Sequence, residues 1–195
     1  MLPLSKGETR NKPSKLFWIL VGLLCSVNLL PFFYVKYIAV DLAETIYHVK
    51  ELGIGRIPYK DIFSHHFLGY LIPFYFVELL VPINPKVLWF LALLNQVFCG
   101  YLAYRIVFLI SRERFESMLA ALLMVSVGWF WGWAGITFNL QSYLLPILLG
   151  LILKVIESIE YKNVKALYWS AFLFGVGVIF DQRFVVFIAL FGLPF

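Results

Sequence analysis

The chain has 195 residues, of which 62% are hydrophobic and only 14% are charged. Soluble globular domains average about 45–50% apolar and about 25% charged residues. The composition therefore excludes an ordinary soluble domain and indicates an integral membrane protein with several helical spans. The net charge of +5 comes from Lys and Arg clustered between apolar runs. Such clusters are typical of cytoplasmic loops and not of a nucleic-acid-binding face, so no nucleic-acid partner is expected.

The N-terminal segment 1–15 is basic and precedes a long apolar run. Four cations, Lys6, Arg10, Lys12 and Lys15, lead into residues 16–35. That run is as long as a full span of about 20 residues and exceeds the roughly 7–15-residue core of a cleaved signal peptide. We therefore expect a cytoplasmic tail at 1–15 followed by an uncleaved signal anchor.

The apolar runs predict an all-α fold, a polytopic transmembrane helical bundle in one domain at 16–195. The expected spans lie at about 16–35, 87–110, 118–135, 142–157, 166–180 and 184–195. The last is too short to be complete, which favours an N-terminal part of a longer protein in the plasma membrane. Arg105, near the end of its span, is expected to extend to the inner headgroups.

One apolar run, 67–83, is expected to lie in the membrane interface and not to cross. It is short and carries Pro73, Glu78 and Pro82, which a helix in the interface tolerates better than a helix in lipid. The basic turns at 111–117 and 161–165 then face the cytoplasm, as basic short loops tend to do. The outward segments are the outer loop at 36–86 and the short stretches at 136–141 and 181–183.

The outer loop concentrates the ionisable groups of the chain. Residues 41–66 hold four of the eleven acids and all three histidines. Leu42, Ile46 and Val49 recur at helical spacing, with Glu44, Thr45, His48 and Glu51 expected on other faces, which predicts an amphipathic surface helix over 41–52. Gly53 and Gly55 are expected to end this helix, and Pro58 and Tyr59 to turn the chain.

This stretch resembles the first outer loop of GT-C glycosyltransferases, in particular the protein O-mannosyltransferase and aminoarabinose transferase group (glycosyltransferase family 39-type). The resemblance covers 16–183 in topology and 41–66 in motif. Its motif residues are Asp41, Gly55, Pro58, Tyr59, Asp61, His65 and His66. At two positions the chain departs from the pattern: Leu42 stands where the family usually has Glu, and Gln141, with Asn139 nearby, stands where many members have Asp. These departures leave open an active divergent enzyme or a site that has lost part of its chemistry.

The resemblance implies transfer of a sugar from a polyprenyl-phosphate donor to an acceptor hydroxyl on the extracytoplasmic face. Asp41 is the candidate general base, because a carboxylate at the lipid boundary is partly desolvated and hence more basic. The same residue also fits helix capping, since Asp41-x-x-Glu44 is a capping pattern. The candidate substrate-binding residues are Glu44, Tyr59, Asp61, His65, His66, Asn139, Gln141 and Arg183.

Two of these candidates have structural alternatives. Arg183 could bind the donor phosphate or pair with Asp181. Asp61 could position the acceptor or brace the loop through Lys60 or Arg56. No cofactor and no metal are expected, because the paired histidines lack a third ligand and the two cysteines lack metal-ligand spacing.

The expected partners are membrane lipid and the polyprenyl-phosphate sugar; the sequence does not identify the acceptor. A second hypothesis is a non-catalytic subunit that binds lipid-linked sugar or serves assembly, which Leu42 and Gln141 favour. A transporter is disfavoured, because the spans hold few charges away from their ends.

Overall fold

The computed structural model describes residues 15–34, 40–62, 68–130, 140–181 and 184–186. Its helices are α1 (Lys15–Tyr34), α2 (Val40–Gly53), a 3₁₀ turn (Leu68–Tyr70), α3 (Leu71–Leu80), α4 (Pro85–Ser111), α5 (Arg114–Phe130), α6 (Leu140–Tyr161) and α7 (Val164–Phe180). Helix accounts for 86% of the described residues, and none of them forms a strand. The all-α prediction is confirmed.

Local sequence signals set the ends of the helices. Asn84 precedes α4, and its side-chain oxygen accepts hydrogen bonds from the backbone N–H groups of Lys86 at 2.9 Å and Val87 at 3.1 Å. Asn163 caps α7 in the same way. Arg112, in the left-handed conformation at φ 61°, ends α4. Side-chain caps of this kind satisfy the backbone donors of a first helical turn and make the boundaries sharp.

The long helices form two hairpins, α4–α5 and α6–α7, which pack through α4 and α6. Gly100 allows close approach in the first hairpin, because a Cβ there would meet the Val125 side chain. Gln96 donates to the Val125 carbonyl oxygen at 2.8 Å. Between the hairpins, an apolar cluster joins Leu102 and Leu109 of α4 to Leu153 of α6.

The charged turns of both hairpins lie at one end of the bundle, here called the basic end. Arg105 donates to a Glu157 carboxylate oxygen at 2.9 Å, and Arg112 pairs with Glu160. These contacts join the last turns of α4 and α6. Arg105 therefore has an acidic partner on α6 that the sequence analysis did not foresee, and its contact with the inner headgroups stays a prediction. A hydrogen bond with Tyr161 raises the pKa of Arg112 above its usual value.

The start of α1 also lies at the basic end. Phe17 and Val21 of its first two turns pack with Tyr104 near the end of α4 and Ala121 near the start of α5. The N-terminal cations precede this contact directly in the sequence. Lys15, the first residue of α1, and the two hairpin turns therefore lie at the same end, an arrangement that the predicted topology requires.

The opposite end carries the outer layer, which we define as α2, the loop 54–62, the turn Leu68–Tyr70 and α3. Its core contains Val49, Ile62, Leu71 and Phe74, packed with Leu88 of the first turn of α4. The 3₁₀ turn packs on α7. The outer layer is therefore held against the start of α4 and the end of α7.

One helix of the described chain, α4, is long and apolar enough to cross a bilayer, and α3 and α7 are apolar but shorter. The helices follow most of the predicted spans, with α4, α6 and α7 each beginning two residues earlier. Residues 131–135 of one predicted span and 187–195 of the last lie outside the described residues. The multi-pass topology stays a prediction.

Candidate functional site

The candidate site residues differ in how far the structure describes them. Asp41 is the second residue of α2, and Gln141 is the second residue of α6, but both side chains lie outside the described part. His65, His66, Asn139 and Arg183 lie outside the described residues altogether. Glu44, Tyr59 and Asp61 are described with their side chains, and all three belong to the outer layer.

The buried face of α2 contains polar side chains that the sequence analysis assigned elsewhere. Thr45 and His48 are each only 4% exposed, and they lie beside the buried Val49. The prediction that these two polar residues lie away from the packed face is therefore wrong. Successive residues at spacings of three and four share a helix face, so the packed face of α2 is centred on positions 45, 48 and 49.

Glu44 and His48 form a pair one helical turn apart. The His48 Nδ1 atom lies 3.8 Å from a Glu44 carboxylate oxygen, and the Glu44 side chain is one-third exposed. The i, i+4 spacing of an acid and a histidine was the sequence signal for this contact. His48 was missed as a candidate because the sequence analysis placed it on a face other than that of Ile46 and Val49. The pair brings a carboxylate to the rim of the outer layer.

The loop 54–62 is closed by hydrogen bonds around Asp61. An Asp61 carboxylate oxygen accepts from the Ile57 N–H at 2.9 Å, and the Tyr59 N–H donates to the Ile62 carbonyl oxygen at 3.1 Å. Arg56 pairs with Glu51 at 3.3 Å. Asp61 thus braces the loop through the Ile57 backbone and not through Lys60 or Arg56.

Tyr59 is exposed and adopts the left-handed conformation at φ 63°. A residue with a Cβ in this region costs about 1–2 kcal/mol, so the conformation requires support from its surroundings. The hydrogen bonds of the loop supply that support. Tyr59 is therefore presented outward from a rigid turn.

A second acid of the outer end, Asp181, is buried at the end of α7. Asp181 is only 3% exposed. Its backbone N–H donates to the Gly177 carbonyl oxygen, and its carbonyl oxygen accepts from the Phe184 N–H. The sequence analysis considered Asp181 only as a partner for Arg183. Through these backbone hydrogen bonds, Asp181 joins α7 to Phe184.

An apolar cleft of about 300 Å³ lies between α3 and α4. Residues on two turns of α3 and two turns of α4 line it: Pro73, Phe74, Val77, Leu91, Leu94, Asn95 and Phe98. Phe74 also belongs to the core of the outer layer. The cleft is thus adjacent to the layer that carries the described candidate residues, and Asn95 is its one amide.

Among the described residues, no group of three His, Cys, Asp or Glu side chains is arranged to hold a metal ion. The expectation that no metal is needed stays a prediction.

No protein-family model, curated protein or solved structure matches the chain. The resemblance to GT-C glycosyltransferases therefore depends on the motif residues and on the predicted topology.

Proposed function

We propose that the chain is a multi-pass membrane glycosyltransferase that transfers a sugar from a polyprenyl-phosphate donor to an acceptor hydroxyl on the extracytoplasmic face. Asp41 is the general base in this proposal. It accepts the hydroxyl proton while the acceptor oxygen attacks the anomeric carbon. The bond from that carbon to the phosphate oxygen breaks, and the polyprenyl phosphate departs. Positive groups near the phosphate would stabilise the leaving group.

The membrane part of this proposal is supported by helix lengths and by the distribution of charge. At 1.5 Å per residue, the 27 residues of α4 extend about 40 Å and the 20 residues of α1 about 30 Å. Both helices are long enough to cross a hydrocarbon core of about 30 Å. The shared basic end supports a cytoplasmic location for the N-terminus and both hairpin turns. The outer layer then belongs to the extracytoplasmic side.

The observation that carries the catalytic part is the apolar cleft beside the outer layer. α2, which contains Asp41 and Glu44, packs on α3, and α3 forms one wall of the cleft. A lipid-linked sugar has an isoprenoid tail that prefers an apolar, membrane-level site and a phosphate that stays at headgroup depth. A polar layer next to an apolar cleft suits both parts of such a donor.

The test compares Asp41→Asn with Glu51→Gln in the full-length protein. Both variants neutralise an acid of α2, but Glu51 pairs with Arg56 and is not a candidate site residue. We expect Asp41→Asn to retain folding and donor binding and to lose sugar transfer by about 100-fold or more, as general-base removal does. Glu51→Gln should retain transfer. Full activity of Asp41→Asn would refute Asp41 as the base.

A second candidate function is a non-catalytic subunit that binds the lipid-linked sugar. It is favoured by the way the described acids of the outer layer are used: Asp61 braces the loop, Glu51 pairs with Arg56, and Glu44 lies beside His48. Binding of polyprenyl phosphate by the wild-type protein without turnover of any acceptor would support this function over the first.

A further inference from the structure

The loop tip, which we define as residues 54–60, exposes apolar side chains at the end of the outer layer. Ile54 is 71% exposed, Ile57 is 51% exposed and Tyr59 is 62% exposed. Apolar surface in water is unfavourable, and grouped exposed apolar side chains commonly mark a contact surface. The loop tip is therefore a candidate contact surface for an apolar or interfacial neighbour.

The conformation of the loop tip is fixed, so these side chains do not turn inward by rearrangement of the loop. The N–H groups of Lys60 and Asp61 both donate to the Ile57 carbonyl oxygen, and the Asp61 carboxylate accepts from the Ile57 N–H. Gly55, at φ 85°, supplies a second left-handed position. The exposed surface is a property of a braced turn.

The loop tip carries two cations, Arg56 and Lys60, and two acids, Glu51 and Asp61, border it. The acids that border it are engaged: Asp61 accepts from the Ile57 N–H, and Glu51 pairs with Arg56. Lys60 is exposed beside Tyr59. A cation next to a tyrosine and two isoleucines suits the boundary between acyl chains and phosphate groups.

The location of the loop tip agrees with that boundary. Ile62, which follows it, is buried in the core of the outer layer together with Leu88, in the first turn of α4. If α4 spans the membrane, its first turn lies at headgroup depth on the outer side. The short distance along the chain from Ile62 to Lys60 keeps the loop tip at nearly the same depth.

We propose that the loop tip docks on the outer leaflet of the bilayer, with Ile54, Ile57 and Tyr59 in the interface and Lys60 against lipid phosphate, and with a preference for anionic phospholipid. This interaction would fix the height of the outer layer above the membrane. The proposal rests on the membrane topology proposed above and not on sugar transfer, so the loss of one does not imply the loss of the other.

The test is fluorescence quenching in the full chain. Ile57→Cys, in a background with Cys25 and Cys99 replaced by Ala, carries an environment-sensitive fluorophore in nanodiscs of phosphatidylcholine with or without phosphatidylglycerol. A headgroup-labelled quencher lipid and a water-soluble quencher report on the two environments. Lys60→Gln and Lys50→Gln form a matched pair, since both lysines are exposed in the outer layer but only Lys60 belongs to the loop tip. Circular dichroism confirms that each variant folds.

We expect strong quenching by the lipid and weak quenching by the soluble reagent. Phosphatidylglycerol should strengthen quenching by the lipid. Lys60→Gln should reduce that gain by up to about fivefold, because one cation near an anionic surface changes binding by about that factor. Lys50→Gln should leave it unchanged. Strong quenching from water would overturn the proposal and favour a soluble partner. Weak quenching by both reagents would overturn it in favour of a protein cover. Equal behaviour of Lys60→Gln and Lys50→Gln would overturn the role of Lys60.

Discussion

Glu157 joins the two hairpins at the basic end, and its replacement by Gln tests how the bundle is held together. One carboxylate oxygen accepts from Arg105 at 2.9 Å and the other from Lys154 at 2.6 Å. The Glu157 side chain is 12% exposed. Glu157→Gln keeps the size of the side chain but leaves two partly buried cations without their counter-ion.

The magnitude follows from burial. Loss of one partner of a fully buried ion pair costs about 3–5 kcal/mol. Here the side chains of Arg105 and Lys154 are each about one-third exposed, so water screens part of the unpaired charge. We therefore expect Glu157→Gln to lower the free energy of unfolding by about 2 kcal/mol, or roughly 30-fold in the folding equilibrium.

Glu160→Gln is the matched control, because Glu160 also pairs α6 with α4 but is 46% exposed. An exposed pair contributes about 0–1 kcal/mol. The assay is detergent-induced unfolding of the chain in mixed micelles, monitored by circular dichroism. Equal losses for the two variants would refute the argument from burial. In a further check, the apolar double replacement Arg105→Met with Glu157→Leu should recover part of the stability lost in Glu157→Gln, because it removes one of the two unpaired cations and leaves Lys154.

Two further predictions concern backbone positions. Gly69→Ala should lower the free energy of unfolding by about 1–3 kcal/mol, because a Cβ there would collide with the Ile179 backbone of α7. Gly53→Ala is the control and should cost less, because the space around its Cβ is open. Similar shifts of the thermal midpoint for the two variants would contradict this reasoning. Lys162→Gly should raise the unfolding midpoint by the equivalent of about 0.5–1 kcal/mol, because Lys162 is left-handed at φ 47°, whereas a lower midpoint would show that its cation matters more than its backbone.

The sequence predicted the helical elements well because hydrophobicity and capping are local properties. Apolar runs located α4, α6 and α7, whereas the caps Asn84 and Asn163, which are local signals of the same kind, were not named in advance. The surface helix α2 was also predicted, since Gly53 ends it as expected.

The sequence could not predict which polar residues would be buried. His48 and Thr45 lie on the packed face of α2 because the outer layer folds back on the start of α4, which is a tertiary contact. The same holds for Arg105: hydropathy indicates a cation near a membrane end, but only the packing of α4 against α6 supplies Glu157 as its partner. The loop gives a third case: Asp61 accepts from the Ile57 backbone N–H, and a pattern of side chains cannot reveal a backbone partner.

The two ends of the bundle should be energetically independent, which can be measured by a double-mutant cycle. Arg105 and Leu88 are both on α4, and their separation of 17 positions corresponds to about 25 Å along the helix. Val49 is fully buried in the core that contains Leu88, so its replacement by Ala should lower the free energy of unfolding by about 1–3 kcal/mol. Because sites more than about 10 Å apart without shared partners are additive to within about 0.5 kcal/mol, Val49→Ala and Glu157→Gln should sum in the double variant. A coupling energy well above that value would mean that the Glu157 ion pairs at the basic end influence the stability of the outer layer. The packing of the outer layer would then depend on how the two hairpins are arranged.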